Sequence, residues 1–186
     1  MIIVAAAAVV LFGFAVSTGE THGRALASLS SSERAVAVYL HDKGLDNVHV
    51  AAIMGNIQQE SRFDATSSTS VAAGLCQWGL GVDGDRGGAL KRWAASTGRD
   101  WSRASTQLDW LWAEMAHEGP AADAVGTARD AHGSLAAFLA CDSVDDTGSG
   151  NATAYFERWI EGAGTPMLAN RVAYAQRYLQ VLDEAW

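Results

Sequence analysis

Val50, Ile53, Met54 and Ile57 recur at the i, i+3, i+4, i+7 spacing that marks one apolar face of a helix, and Glu60 continues the same row. Upstream, Ser30-Ser31-Ser32-Glu33 has the spacing of a capping box, predicting a helix from there to about Lys43 that stops at Gly44. Asp46 or Asn47 then caps the helix that carries Glu60. Residues 64–88 are rich in Ser, Thr, Gly and Asp and predict a small β-hairpin or loop region, with Gly74–Gly79 as its best strand. Helical patterns resume afterwards. Asp85 caps a helix reaching Thr97 and closed by Gly98, and Ser105 starts one carrying Leu108, Leu111, Trp112 and Met115. Pro120 suits a first helical turn, and Leu135, Phe138 and Leu139 suggest a further helix. Residues 145–151 read as a loop and residues 152–160 as a short helix. The last helix runs from Leu168 to Ala185 on a stripe of Leu168, Val172, Ala175, Leu179 and Leu182. The pattern alone predicts a mainly helical domain with one irregular middle.

Composition narrows the classes. A chain of 186 residues is one domain plus a short extension, and 49% hydrophobic residues with seven Trp supply a core. The net charge of −8 argues against a nucleic-acid binder, which would show a basic face. Met1 to Val16 is almost wholly apolar but spans only roughly 24 Å as a helix at about 1.5 Å per residue. It reads as the apolar part of a signal peptide or as a marginal membrane anchor, although no Lys or Arg precedes it. The expected division is a signal peptide or anchor over 1–17, a linker over 18–31 and the folded domain over 32–186.

Cys76 and Cys141 allow one internal pairing, and a disulfide in an exported chain and two buried free thiols both fit. No His or Asn pattern supports Cys76 as a nucleophile. The five His are scattered without metal-ligand spacing, so no metal or cofactor is expected, and Asp83-Gly84-Asp85 reads as a turn rather than a calcium loop.

The candidate chemistry centres on Glu60, a carboxyl at the end of an apolar helix stripe. A carboxyl in apolar surroundings tends to retain its proton near neutral pH, as a general acid for glycosidic cleavage must. For an arbitrary sequence such a residue is a surface one. The run Ala52-Ile53-Met54-Gly55-Asn56-Ile57-Gln58-Gln59-Glu60-Ser61-Arg62-Phe63, however, resembles the catalytic-helix signature of the phage tail lysozyme family. That family belongs with the lytic transglycosylases and goose-type lysozymes. Gly74-Leu75-Cys76-Gln77-Trp78 resembles its Gly-Leu-x-Gln-Trp strand, and Thr106 to Glu114 its next helix. Phe156-Glu157-Arg158 and Arg171 to Ala175 resemble its closing segments. The chain departs from the family where Trp159 follows Phe-Glu-Arg and where residues 142–151 look inserted.

The resemblance implies an α+β lysozyme-like fold, mainly α, with a small hairpin beside the cleft. It implies a muramidase or lytic transglycosylase that cuts the MurNAc–GlcNAc strand of peptidoglycan. In that reading Glu60 is the general acid, Ser61 holds the helix end, and Gln77, Trp78 and Tyr174 face the sugar. A second carboxylate, drawn from Asp64, Asp83 and Asp85, would serve hydrolysis; a lone Glu would serve transglycosylation. The implied partner is the bacterial cell-wall glycan, held locally because the chain is acidic. The apolar leader adds membrane contact, a place outside the cell or on its surface, and a phage-tail, conjugation or secretion apparatus as context. A non-catalytic wall-binding module and a chitin-type glycosidase are the rival readings.

Overall fold

The computed structural model describes residues 23–81, 85–125, 133–162 and 164–186. The apolar leader Met1–Val16 and Asp83 lie outside the described residues. Among the described residues no helix is long and apolar enough to cross a membrane. The domain is mainly helical: α1 (Ser31–Asp42), α2 (Asn47–Glu60), the strands β1 (Ala72–Ala73) and β2 (Trp78–Gly79), α3 (Arg86–Ser96), α4 (Ala104–Ala116), α5 (Gly119–Val125), α6 (Leu135–Leu139), α7 (Ala152–Tyr155) and α8 (Leu168–Ala185). Between α7 and α8, residues Phe156–Glu161 are wound as a π-helix.

Local signals explain most boundaries. Ser30 Oγ accepts from the Glu33 amide while the Glu33 carboxylate accepts from the Ser30 amide, completing the capping box of α1. Asp46, Asp85 and Asn151 cap α2, α3 and α7 with their side-chain oxygens. The helical turn at 23–27 and the burial of Ala25 and Leu29 bring the described end of the expected linker onto the domain.

Helix α2 is the centre of the molecule. Every residue from His49 to Ile57 is buried, so it is not the amphipathic helix its stripe suggested. Burial of Ile53, Met54 and Ile57 contributes roughly 1.5–3 kcal/mol each. Asn56 is tolerated there because its amide donates to the carbonyls of Ala52 and Thr153.

Helix α8 lies antiparallel along α2, with Asn47 bonding Asp183 at one end and Glu60 meeting Arg171 at the other. The helices approach closely at Gly55. A Cβ there would stand 2.7 Å from the Arg171 carbonyl oxygen and 2.8 Å from the Ala175 nitrogen. The buried face of α8 is Arg171, Ala175, Tyr178, Leu182 and Ala185, one position round from the expected stripe. Leu168 is 38% exposed. The rotation places the small Ala175 against Gly55 and directs Arg171 to Glu60.

The hairpin is also shorter than expected. Ala72 pairs with Gly79 and Ala73 with Trp78, so Gly74 to Gln77 form the turn rather than a strand. Positive φ at Gly74 (81°) and Gln77 (46°) bends the chain there. One side chain, Gln107 of α4, ties the turn to the neighbouring loops: it accepts from the Leu75 amide and donates to the carbonyls of Ala65 and Trp101. Gly74 is required beside it, since a Cβ would lie 2.7 Å from the Gln107 side-chain oxygen.

Candidate active site

Glu60 is the last residue of α2, with its side chain 18% exposed. The apolar pocket expected from the sequence is not its setting. The Arg171 guanidinium reaches it from α8 and forms an ion pair with its carboxylate. Arg171 is itself 1% exposed and fully engaged. Nη1 donates to Asn56 Oδ1 at 2.8 Å and to Glu161 Oε2 at 2.6 Å, and Nε donates to the Pro166 carbonyl at 2.5 Å. Asn56 therefore spends its amide on backbone and its carbonyl on Arg171, fixing the guanidinium against α2.

The π-helical segment supplies two further carboxyls, Glu157 and Glu161. Burial pushes the Glu161 carboxyl up to about 8, against the opposing pull of Arg171, with the Glu60 charge adding to the rise. Burial also raises Glu157, again opposed by Arg171. Of the carboxyls grouped round Arg171, Glu60 is the one that reaches solvent: the Glu161 side chain is 2% exposed and Glu157 is buried. A π-helical turn at such a position is characteristic of functional sites.

Behind this group runs a second buried ion pair. Arg86 donates to both carboxylate oxygens of Glu114, at 2.9 and 2.7 Å, and to the Glu161 carbonyl at 3.1 Å. Trp78 Nε1 donates to the same Glu114 at 2.8 Å. An unbroken line of polar contacts thus runs from Trp78 through Glu114, Arg86, Glu161 and Arg171 to Glu60.

The expected site residues fare differently. Ser61 is buried and its hydroxyl donates to the Ile57 carbonyl at 3.4 Å, closing the end of α2. Gln77 is half-buried, and its amide donates to Gly74 O at 2.8 Å and Ser67 Oγ at 3.2 Å; it makes no hydrogen bond to Glu60. Trp78, expected to face the sugar, has its ring 2% exposed and its N–H spent on Glu114, and in this conformation it packs in the core. Tyr174, one turn after Arg171, is half-buried against the core. Cys76 and Cys141 are free thiols, both buried. Burial, with Glu161 and Glu114 nearby, pushes the Cys76 thiol well up, which keeps it inert.

Two of the three candidate second carboxylates are occupied locally, Asp83 lying outside the described residues. Asp64 accepts from the Thr66 amide and hydroxyl, and Asp85 caps α3 and pairs with Arg92 at 2.9 Å. Among the described residues no group of His, Cys, Asp and Glu is placed to hold a metal ion. Sequence reasoning did not assign Arg171, Glu161, Glu157, Glu114 or Arg86. The signal for Arg171 was its place four residues before Ala175, on the α8 face that the small residue marks as close-packed.

A central buried helix ending in a carboxyl, flanked by a two-stranded hairpin and crossed by a terminal helix, defines a mainly helical, lysozyme-like domain. The chain belongs to the phage tail lysozyme family, whose model matches residues 31–182. Membership points to a lysozyme-type, peptidoglycan-cleaving function. Comparisons with curated proteins and with solved structures found no match.

Proposed function

We propose that the chain cleaves the MurNAc–GlcNAc strand of peptidoglycan with Glu60 as the single general acid and base. The observation that carries this reading is the selective exposure of Glu60 within a cluster of otherwise buried carboxyls. Glu60 has the most exposed side chain of the cluster, which supports its being the carboxyl that meets the glycosidic oxygen. Arg171 acts as a positioning residue, holding the carboxyl at the end of α2.

We take the lone-carboxyl route as the leading one, supported by the local engagement of Asp64 and Asp85, two of the three candidate partners. Glu60 gives its proton to the glycosidic oxygen as the C1–O bond breaks, and the leaving GlcNAc carries that proton away. The Glu60 carboxylate then takes the proton of the C6 hydroxyl of MurNAc while that oxygen bonds to C1. No water is consumed, and the product carries a 1,6-anhydro ring.

Mass analysis of a wall digest tests both parts. Anhydro ends, lighter by one water than reducing ends, are the expected product; reducing ends alone would refute the lone-carboxyl route. Glu60→Gln should lower the rate by about 10²–10⁴-fold, the usual worth of a general acid. It should fold as the parent does, since the Gln carbonyl still accepts from Arg171. Full activity in Glu60→Gln would overturn the assignment. The leader read in Met1–Val16 would carry this activity to the wall side of a membrane. The wider apparatus, whether phage tail, conjugation or secretion machinery, is a proposal of the same standing.

A further inference from the structure

The π-helical segment serves two places. Glu157 and Glu161 stand with Arg171, while Arg158 and Trp159 line a cavity of about 480 Å³. That volume lies within the roughly 300–1,000 Å³ of small-molecule sites, so it suits a small ligand or a peptide end rather than a glycan strand. The rest of its wall comes from α6, α7 and the stretch between them, and Ala137, Ala140, Gly148 and Ala154 keep it apolar and open. That stretch is held in shape. The Asn151 side chain donates to the Asp146 carbonyl and accepts from the Ala154 amide, both at 2.9 Å, and Cys141 Sγ donates to the Ser149 carbonyl at 3.6 Å. Trp159 and residues 142–151 are also the two places where the chain departs from the family pattern.

Among the described residues lining the cavity none is acidic, and Arg158 is the one cation. Arg158 is exposed, with its guanidinium carbon 4.8 Å from the centre of the Trp159 ring. It pulls on the buried Glu157 through space but, among the described residues, pairs with no carboxylate. A guanidinium held over an aromatic face keeps its in-plane N–H donors for a carboxylate, which it can grip with two parallel bonds. Small apolar walls beside one such cation fit a carboxylate with a methyl-sized group next to it. We propose that this cavity binds the alanyl carboxylate at the free end of the peptide stem carried by MurNAc, with Arg158 as the partner of the carboxylate. The inference rests on the peptidoglycan reading, since that polymer carries short peptides ending in this way.

The test is a calorimetric titration of the whole chain with N-acetyl-D-Ala-D-Ala, whose one carboxylate is its C-terminus. The parent should bind it saturably at one site. The C-terminal amide of the same dipeptide should bind about tenfold more weakly or worse, the loss of a charge-assisted pair, and so should the acid added to Arg158→Gln. That variant should melt with the parent, because the replaced side chain is exposed; the acid and amide compared on the parent need no variant at all. Equal binding of acid and amide, undiminished binding in Arg158→Gln, acetate binding as tightly as the dipeptide, or no binding by the parent would each overturn the site. On walls, the parent should prefer peptide-bearing strands to strands stripped of peptide, and Arg158→Gln should lose that preference. A parent that binds the dipeptide but leaves walls intact would refute the proposed function while supporting the cavity. One that cleaves walls without binding the dipeptide would do the reverse.

Discussion

Gly55→Ala is the most informative single change, because two rules give opposite signs for it. In an ordinary helix interior the replacement stabilises by about 1 kcal/mol. At this crossing a Cβ would stand 2.7 Å from the Arg171 carbonyl oxygen and 2.8 Å from the Ala175 nitrogen. Both atoms are backbone, so no side chain can swing aside. Ordinary van der Waals contact begins near 3.4 Å, so α8 has to retreat by about 0.7 Å at the residue that holds Glu60. Overpacking of this kind typically costs about 1–3 kcal/mol. The expected outcome is a net loss in that range, read as a lower urea midpoint at unchanged slope. Displacement of Arg171 should also cut wall cleavage, by as much as about 10²-fold for a shift approaching 1 Å. A variant more stable than the parent would refute the close approach and the account of how Arg171 is placed.

Three more outcomes follow from the buried network. Glu114→Gln strips Arg86 of its bidentate carboxylate in a site where the side chains are 10% and 1% exposed, and should cost about 3–5 kcal/mol by denaturation. Trp78→Phe should cost about 1–3 kcal/mol through the lost bond to Glu114 while leaving KM for wall substrate unchanged; a large rise in KM would restore the sugar-stacking role to that ring. Because the Glu161 carboxyl is raised from its ordinary 4.5 to about 8 in the fold, its stabilising contribution is complete below pH 4.5 and is lost as pH climbs to about 8. Melting curves across that window should decline in the parent and decline less in Glu161→Gln.

The helix starts were legible because capping is local: Ser30, Asp46 and Asp85 each satisfy an amide two or three residues on. The long final helix was placed from Leu168 to Ala185 with its boundaries intact, yet of its inward face only Ala175 and Leu182 were read correctly. Hydrophobicity favours Val172 and Leu179 over Arg171 and Tyr178, and only pairing across the interior makes the polar choice affordable. Arg171 finds Glu60, Glu161 and Asn56; the Tyr178 hydroxyl donates to Glu33 at 2.5 Å. The burial of Trp78 was hidden for the same reason, since nothing near it in the chain announces Glu114, thirty-six residues on. Glu60 itself was visible from its row. What surrounds it was not, because Glu161 and Arg171 arrive from the far end of the chain and the π-helical winding has no compositional mark.

Helix α2 ends at Glu60 without a glycine or proline to stop it. The next residues but one, Arg62 and Phe63, both take positive φ, 53° and 63°, a conformation that costs an L-residue roughly 1–2 kcal/mol. Phe63 offsets this by sinking its ring to 5% exposure, edge-on to Tyr178 at 5.8 Å. The length of the helix is therefore set by an aromatic plug seated in the opposite helix, not by any breaker in its own sequence. Another turn of α2 would have to pull that plug, so the helix end that carries Glu60 is held at a fixed depth by a ring three residues further on.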